Sequence, residues 1–234
     1  MTNNNDMYVD GEYLKQNPTW DVEDSAWKAY LIYRMIQKHK LNPLSICEVG
    51  CGCGEILKQL QQRMPPECLF TGYEISPQAI ELCGQRANER LIFRLINFSE
   101  ESDFHCDLIL LIDLIEHLED FFSFLREVKG KSQYTIVHIP LEMFVLAVLH
   151  PQFHLGQRKK VGHLHFFSRD TALRMLEDLG YEIVDFSYTA GYALPRQYGL
   201  KDKLLKIPRG LLYPVAPDFT VRVFGGYSLL VLVK

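Results

Sequence analysis

The chain has 234 residues, of which 47% are hydrophobic and 23% charged, so it has the composition of a folded globular domain and not of a disordered chain. No uninterrupted apolar run of about 18 residues occurs, and the opening MTNNND lacks the pattern of a secretory signal. With a net charge of −4 and six cysteines, we expect a cytoplasmic protein with no transmembrane segment, no nucleic-acid partner and no disulfide scaffold.

Short apolar runs alternate with amphipathic stretches, a pattern typical of an α/β fold. The predicted strands are 44–49, 68–73, 91–96, 106–113, 134–140, 181–189 and 227–233. The predicted helices are 21–39 with Asp21 as N-cap, 55–64, 77–89, 118–129, and a late helix between Ser168 or Asp170 and Gly180. The fourth strand is apolar on both faces, which places it in the middle of a parallel sheet.

Two long connections interrupt this alternation, at 141–167 and 190–226. The formal charge is +3 over residues 151–168 and +5 over 190–234, which leaves −12 for the rest of the chain. A solvated surface explains these counts. The sharper interpretation is that both segments face an anionic acceptor or a membrane surface. The basic residues concerned are Arg158, Lys159, Lys160, Arg196, Lys201, Lys203, Lys206 and Arg209.

A glycine-rich loop, Glu48-Val49-Gly50-Cys51-Gly52-Cys53-Gly54, lies between a predicted strand and a predicted helix. Glycines allow close approach of the backbone to a ligand, and the start of a helix offers N–H donors. A dinucleotide fingerprint would need its third glycine at position 55, and Glu48 would repel a pyrophosphate, so a cationic ligand fits better. Glu74, twenty residues after Gly54, is spaced to accept hydrogen bonds from ribose hydroxyls.

Three segments resemble motifs of the class I S-adenosylmethionine-dependent methyltransferases: ICEVGCGCGEIL, GYEIS and CDLILLIDLIEHLED. The resemblance covers residues 44–189, with 227–233 matching the final strand, and it is greatest to the type 11 and type 23 small-molecule groups. It implies S-adenosylmethionine as cofactor. It also implies a Rossmann-like, seven-stranded mixed sheet whose last strand is antiparallel, with helices on both faces and cap insertions.

The resemblance assigns nine residues to the cofactor: Glu48, Gly50, Cys51, Gly52, Glu74, Ile75, Asn97, Phe98 and Asp113. It places Glu48 near the ammonium of the methionine part and Glu74 on the ribose. Ile75 would pack against adenine. Asn97 stands where the family often has an acid that accepts the adenine amino group, and an amide oxygen can accept the same bond. Asp113 ends the fourth strand, at the crevice where open α/β sheets bind ligands.

Histidines are the candidate bases, because imidazole titrates near neutral pH. We expect His117 or His163 to be catalytic, with His138 and His165 as further candidates, although each has a structural interpretation as well. Glu116 and His117 could form a metal site with Asp113, but no second cluster at ligand spacing supports it, so we expect no metal. The cysteines lack the paired spacing of a zinc site, and Cys68, Cys83 and Cys106 are predicted to be buried.

We interpret the chain as a single methyltransferase domain. Residues 1–43 would form an N-terminal lid and helix, with Trp27 structural and Tyr13 or Trp20 near the site. Residues 44–140 would bind the cofactor, and 141–167 and 190–226 would lie on the acceptor side. The predicted reaction is methyl transfer to an oxygen or nitrogen nucleophile of a small, lipid-linked or sugar-linked acceptor. The alternatives are a non-catalytic cofactor-binding scaffold or sensor, and a protein or RNA methyltransferase.

Overall fold

The computed structural model describes residues 6–17, 19–20, 22–101, 104–194 and 200–234. Seven strands lie in these ranges: β1 Ser45–Val49, β2 Leu69–Glu74, β3 Leu91–Leu95, β4 Cys106–Ile112, β5 Ser132–Pro140, β6 Ile183–Thr189 and β7 Ser228–Val233. They form one sheet in the order β3-β2-β1-β4-β5-β7-β6, in which β7 runs antiparallel to its neighbours. The predicted mixed sheet with an antiparallel last strand is therefore confirmed.

The helices of the described ranges are α1 Asp6–Val9, α2 Glu12–Gln16, α3 Val22–Lys38, α4 Glu55–Gln61, α5 Pro77–Cys83, α6 Phe121–Val128, α7 Val145–Val148, α8 Phe153–Val161, α9 Arg169–Asp178, α10 Leu200–Leu212 and α11 Pro217–Phe224. Helix α9 begins as predicted, because Ser168 and Thr171 form a capping box. Helix α5 ends at Cys83, short of the predicted residue 89, and the chain turns so that Asn88 pairs with Leu91. The predicted N-cap Asp21 lies outside the described residues.

Two hydrophobic layers hold helices against the two faces of the sheet. Strand β4 contributes side chains to both layers, since Leu108 and Leu110 belong to one and Ile109 and Leu111 belong to the other. Helices α3, α4 and α5 cover the first face, and α6, α9 and α11 cover the second. The near-continuous apolar sequence of β4 is thus explained by burial on both sides.

The two predicted insertions fold into short helices. Segment 141–167 contains α7 and α8, and segment 190–226 contains α10 and α11. Contacts join these helices in the spatial order α10, α11, α7, α8. Within the described ranges, every helix is too short or too polar to cross a membrane. Because β1, β2, β4 and β5 are parallel, their carboxyl ends share one edge of the sheet, where the loops can build a site.

Candidate active site

A cleft of about 830 Å³ lies at this carboxyl edge, within the size range of small-molecule and cofactor sites. All eleven residues that the sequence assigned to the cofactor or to catalysis line it: Glu48, Gly50, Cys51, Gly52, Glu74, Ile75, Asn97, Phe98, Asp113, His117 and His163. The structure therefore brings the predicted set together, and the role of each member stays a prediction.

The glycine loop takes a conformation that side chains would disturb. Gly50 has φ +71°, and a Cβ there would lie 2.8 Å from Cδ1 of Leu114. The loop amides are less available than expected, because Gly50 and Cys51 donate to the Tyr73 carbonyl oxygen at 2.9 and 3.1 Å. The Cys51 side chain packs into the core, so its backbone is what the residue offers to the cleft.

Glu74 is fixed at the end of β2 by three backbone amides. Its Oε1 accepts from Ile75 and Ser76 at 2.8 and 2.9 Å, and its Oε2 accepts from Gly52 at 2.9 Å. Burial raises the pKa of Glu74, and the amide bonds oppose that shift. The carboxylate is consequently held in one orientation beside the glycine loop, with acceptor capacity left for a ligand hydroxyl.

Glu48 is buried beneath the loop, and its Oε2 has no hydrogen-bond partner among the described residues. Burial raises the pKa of Glu48 well above its usual range, and the nearby Lys28 ammonium lowers it in part. A second cation in the cleft would favour the ionised form further. This acid therefore suits a ligand that carries an amino group.

The predicted adenine side is built around β3. Phe98 is buried and packs edge-on against Tyr73, with ring centroids 5.2 Å apart. The Asn97 side-chain oxygen accepts from Ser99 at 3.3 Å and so caps a short 3₁₀ turn. One lone pair of that oxygen remains for a ligand, so the predicted contact stays compatible with the structure.

Asp113 lies at the centre of an ion-pair network that the sequence did not predict. Its backbone has φ +49°, a left-handed conformation that is uncommon outside glycine. Its carboxylate lies 2.7 Å from Lys28 Nζ and 2.6 Å from His138 Nδ1. Burial opposes ionisation, but Lys28 and His138 outweigh it and hold the pKa of Asp113 well below its usual range. His138 Nε2 lies 2.8 Å from Thr189 Oγ1, so both ring nitrogens of this candidate base are engaged.

His117 and His163 meet edge to face, with ring centroids 4.9 Å apart. Burial, followed by the neighbouring His163, lowers the pKa of His117 to about 4, so this ring is neutral at pH 7. Tyr8 from the N-terminal helix places its hydroxyl 2.9 Å from His117 Nδ1. His163 Nδ1 lies 2.7 Å from Glu142 Oε2, and Gln157 donates to the other oxygen of Glu142. The His163–Glu142 pair thus has the geometry of a base oriented by a carboxylate.

Glu116 completes this cluster with a buried carboxylate, neither oxygen of which has a hydrogen-bond partner among the described residues. Burial and then the Asp113 charge raise its pKa well above the usual range. One ligand atom from each of Glu116, His117 and His163 lies within 4.8 Å of the others. The set considered from the sequence had Asp113 as its third member. The structure pairs Asp113 with Lys28 and His138, and it places His163 beside Glu116 and His117 instead.

The N-terminal segment contributes aromatic side chains to the same cleft. Tyr8, Tyr13 and Trp20 follow one another, with ring centroids 4.9 and 4.8 Å apart, and all three line the cleft. Both Tyr13 and Trp20, one of which was expected near the site, thus lie in the cleft that holds the predicted site residues. Trp27, which was expected to be structural, also lines the cleft, where its ring lies edge-on to the ring of His138.

Both insertions contribute side chains to the cleft. Lys160 of α8 and Arg209 of α10 line it together with Tyr192 and Tyr227. Arg209 is only 4% exposed, donates to the Phe224 carbonyl oxygen at 2.7 Å and lies over the Tyr192 ring. The remaining basic residues of the prediction lie outside this lining or outside the described residues: Arg158, Lys159, Lys203 and Lys206 in the first group, and Arg196 and the Lys201 side chain in the second.

Comparison with known sequences decides the family. Residues 26–185, well over half of the chain, match a family described as a methyltransferase domain, type 23. The chain belongs to this methyltransferase family. It is an S-adenosylmethionine-dependent methyltransferase, as the sequence motifs implied.

Solved methyltransferases share the fold of this family member. The magnesium protoporphyrin IX methyltransferase of Synechocystis PCC 6803, with bound S-adenosylhomocysteine, matches with a TM-score of 0.59 and 15% identity over 89% of this chain and 82% of that one. A Haloferax volcanii methyltransferase, solved with the Trm112 activator, gives 0.61 and 14% over 97% and 95%. The plantazolicin methyltransferase BpumL gives 0.58 and 17% over 96% and 88%.

Proposed function

We propose that this methyltransferase methylates an oxygen or nitrogen nucleophile of a small or lipid-linked acceptor that carries negative charge. The observation that supports the proposal is that one cleft joins three chemically distinct groups. Acids lie at the glycine loop, two histidines and Glu116 form a cluster near Asp113, and the cations Lys160 and Arg209 come from the insertions.

The residues of the loop end fit S-adenosylmethionine. The buried carboxylate of Glu48, with an unpartnered oxygen, suits the amino group, and the amide-fixed carboxylate of Glu74 suits the ribose hydroxyls. When bound, the cofactor supplies a methyl group on a positively charged sulfur, which is already an activated leaving group. The protein then needs to orient the acceptor, exclude water and, for a protonated nucleophile, accept one proton.

We infer that His163 accepts this proton. Glu142, 2.7 Å from His163 Nδ1, fixes the ring and would stabilise its protonated form, leaving Nε2 for the acceptor. His117, whose pKa is lowered to about 4, stays neutral, and its ring packs against the ring of His163. The hydrogen bond between the Tyr8 hydroxyl and His117 connects this pair of rings to the N-terminal segment.

A second candidate for the same cluster is a divalent cation held by Glu116, His117 and His163. The observation that favours it is the buried Glu116 carboxylate, because a charged group without partners is costly inside a protein and a cation would compensate it. One carboxylate and two imidazoles suit first-row transition metals. Such a cation would bind and polarise an acceptor oxygen, and His163 would then not be the base.

The test is methyl transfer from labelled cofactor to a panel of hydroxylated and aminated carboxylates, phosphates and lipid extracts. Under the base proposal, turnover survives EDTA, and His163→Ala lowers it roughly 10²–10⁴-fold with unchanged binding of S-adenosylhomocysteine. His150→Ala, an exposed histidine outside the cleft, is the matched control. Turnover that EDTA abolishes and Mn²⁺ restores, with loss of the response in Glu116→Gln, would assign the cation instead.

The charge of the acceptor is tested separately. Lys160→Gln should raise the KM of the acceptor roughly tenfold and leave cofactor affinity unchanged, and added salt should act in the same direction on the wild type. Lys159→Gln, the neighbouring lysine outside the cleft lining, should have little effect. A KM that is insensitive to both salt and Lys160 would refute the anionic acceptor. Cofactor binding without turnover on any acceptor would favour the scaffold alternative.

A further inference from the structure

The two insertions expose an unusual amount of apolar surface. The described part of the chain has 21 large apolar side chains that are exposed, and twelve of them lie within 143–155 and 204–219. Soluble domains rarely concentrate such side chains unless something covers them. We name nine of these twelve the apolar cap surface: Met143, Val145, Val148, Leu149, Leu204, Ile207, Leu211, Val215 and Phe219.

Helix α10 is turned with its apolar face toward the solvent. Leu204, Ile207 and Leu211 are spaced three and four residues apart, so they share one face, and their exposed fractions are 62%, 64% and 70%. The opposite face carries Arg209, which is buried at the cleft. A helix that packs on a core normally has the reverse arrangement. The outward face of α10 therefore suits contact with a partner that is itself apolar.

The neighbouring helices extend this face. Helix α10 contacts α11, and α11 contacts α7, whose Val145 and Val148 are also exposed. Between α7 and α11 lies an open groove of about 370 Å³ lined by Met143, Val148 and Val221 among others. The exposed apolar side chains thus lie on or beside helices that touch one another, and the same insertions supply Lys160 and Arg209 to the cleft.

Positive charge accompanies this surface. Residues 151–168 and 190–234 carry +3 and +5, against −12 for the rest of the chain. Arg158, Lys159 and Lys203 are exposed on α8 and α10, the helices that flank the apolar side chains. Among the described residues, 141–167 and 203–226 carry seven basic side chains and two acidic ones, so the two insertions are both basic and apolar. Apolar side chains surrounded by lysine and arginine are what an anionic lipid surface binds.

We propose that the apolar cap surface docks the protein on an anionic lipid bilayer, with α7, α10 and α11 at the level of the headgroups. A second copy of the chain is a poorer occupant, because a two-fold contact would bring the basic segments of both copies together. Binding of this kind is peripheral and needs no spanning helix. It does not depend on the identity of the acceptor, so it can fail without affecting the proposed reaction.

The test is co-sedimentation of the purified full chain with vesicles of phosphatidylglycerol and phosphatidylcholine in equal parts, or of phosphatidylcholine alone. We expect binding to the anionic vesicles that salt weakens. Leu204→Ser with Leu211→Ser should reduce it by at least roughly tenfold, since each leucine side chain contributes to insertion. Leu44→Ser with Leu69→Ser, equally exposed at the opposite edge of the sheet, is the matched control and should bind as the wild type does.

Charge is tested with single reversals. Lys203→Glu should weaken binding to anionic vesicles roughly tenfold, and Lys40→Glu, exposed at the end of α3, should not. Thermal unfolding of each variant checks that the fold is intact. Absence of wild-type binding to anionic vesicles, or equal binding by the Leu204 and Leu211 double variant, would overturn the proposal. A lipid-free dimer that this variant dissociates, without vesicle binding, would assign the surface to a second copy instead.

Discussion

Replacing Glu74 by glutamine separates cofactor binding from folding. The carboxylate has two equivalent oxygens, and backbone amides of Gly52, Ile75 and Ser76 donate to them. Glutamine keeps the shape but has one oxygen and one NH₂ group. If its oxygen accepts from Ile75 and Ser76, its NH₂ group faces the N–H of Gly52, and two donors then oppose each other.

Ordinary hydrogen-bond energies set the size of the expected effects on stability and on cofactor binding. Loss of the Gly52 bond removes a charge-assisted interaction of about 1.5–3 kcal/mol. Burial already disfavours the charged form of Glu74, so a neutral side chain recovers part of this cost, and the free energy of unfolding should fall by about 1 kcal/mol. Ribose hydroxyls lose their charged acceptor without compensation. We therefore expect the Kd of S-adenosylhomocysteine to rise roughly 10- to 150-fold.

Titration calorimetry at constant pH measures this Kd, and urea unfolding measures the stability of the same samples. Glu81→Gln, an exposed position on α5, controls for the loss of one acidic group near the site. A Kd of Glu74→Gln within twofold of the wild type would show that the ribose does not depend on this carboxylate. A large loss of stability with unchanged Kd would make Glu74 a structural residue of the loop.

Three further predictions concern the Asp113 ion pairs, the glycine loop and Trp20. The pKa of Asp113 is lower in the folded than in the unfolded chain, so its carboxylate stabilises the fold above pH about 4 and loses that effect as the pH falls. In Asp113→Asn, the free energy of unfolding should therefore fall less steeply as the solution is made acidic. An unchanged pH dependence would contradict the ion-pair network. Gly50→Ala should cost about 1–3 kcal/mol more than Gly130→Ala in urea unfolding, because both glycines have positive φ but only Gly50 has a side chain against it; equal losses would refute this. S-adenosylhomocysteine should change the tryptophan fluorescence of Trp27→Phe, in which Trp20 is the one tryptophan left, and an unchanged spectrum would exclude contact between Trp20 and the cofactor.

Local patterns were enough to predict the sheet and the common location of Glu48, the glycine loop and Glu74 at one edge of it. Glu48, the glycine loop and Glu74 lie on consecutive strands of a parallel sheet, so a strand-turn-helix reading fixes their common edge. The helices were predicted with less accurate ends, because termini depend on individual caps such as Ser168 and on turns such as the one after Cys83.

The partners of the cleft histidines could not be predicted in this way. Tyr8 and His117 are 109 residues apart, and His138 and Asp113 are 25 apart on neighbouring strands. One feature of the sequence points to Glu142: it follows the fifth strand by two residues, at the edge of the sheet where the other site residues lie. Nothing in the residue types tells which histidine meets a carboxylate and which meets a tyrosine. That choice is made by tertiary packing.

The orientation of helix α10 is another feature that the sequence pattern could not predict, for a physical reason. A spacing of three and four residues identifies two faces of a helix but does not say which one is buried, and hydrophobicity alone would turn Leu204, Ile207 and Leu211 inward. The inward face is instead polar, because the cleft beneath it takes Arg209 and its tyrosine neighbours. Once that face is committed to the cleft, the leucines must point outward. The position of Arg209 in the cleft and the exposed apolar face that we propose meets a membrane are therefore two consequences of one helix orientation.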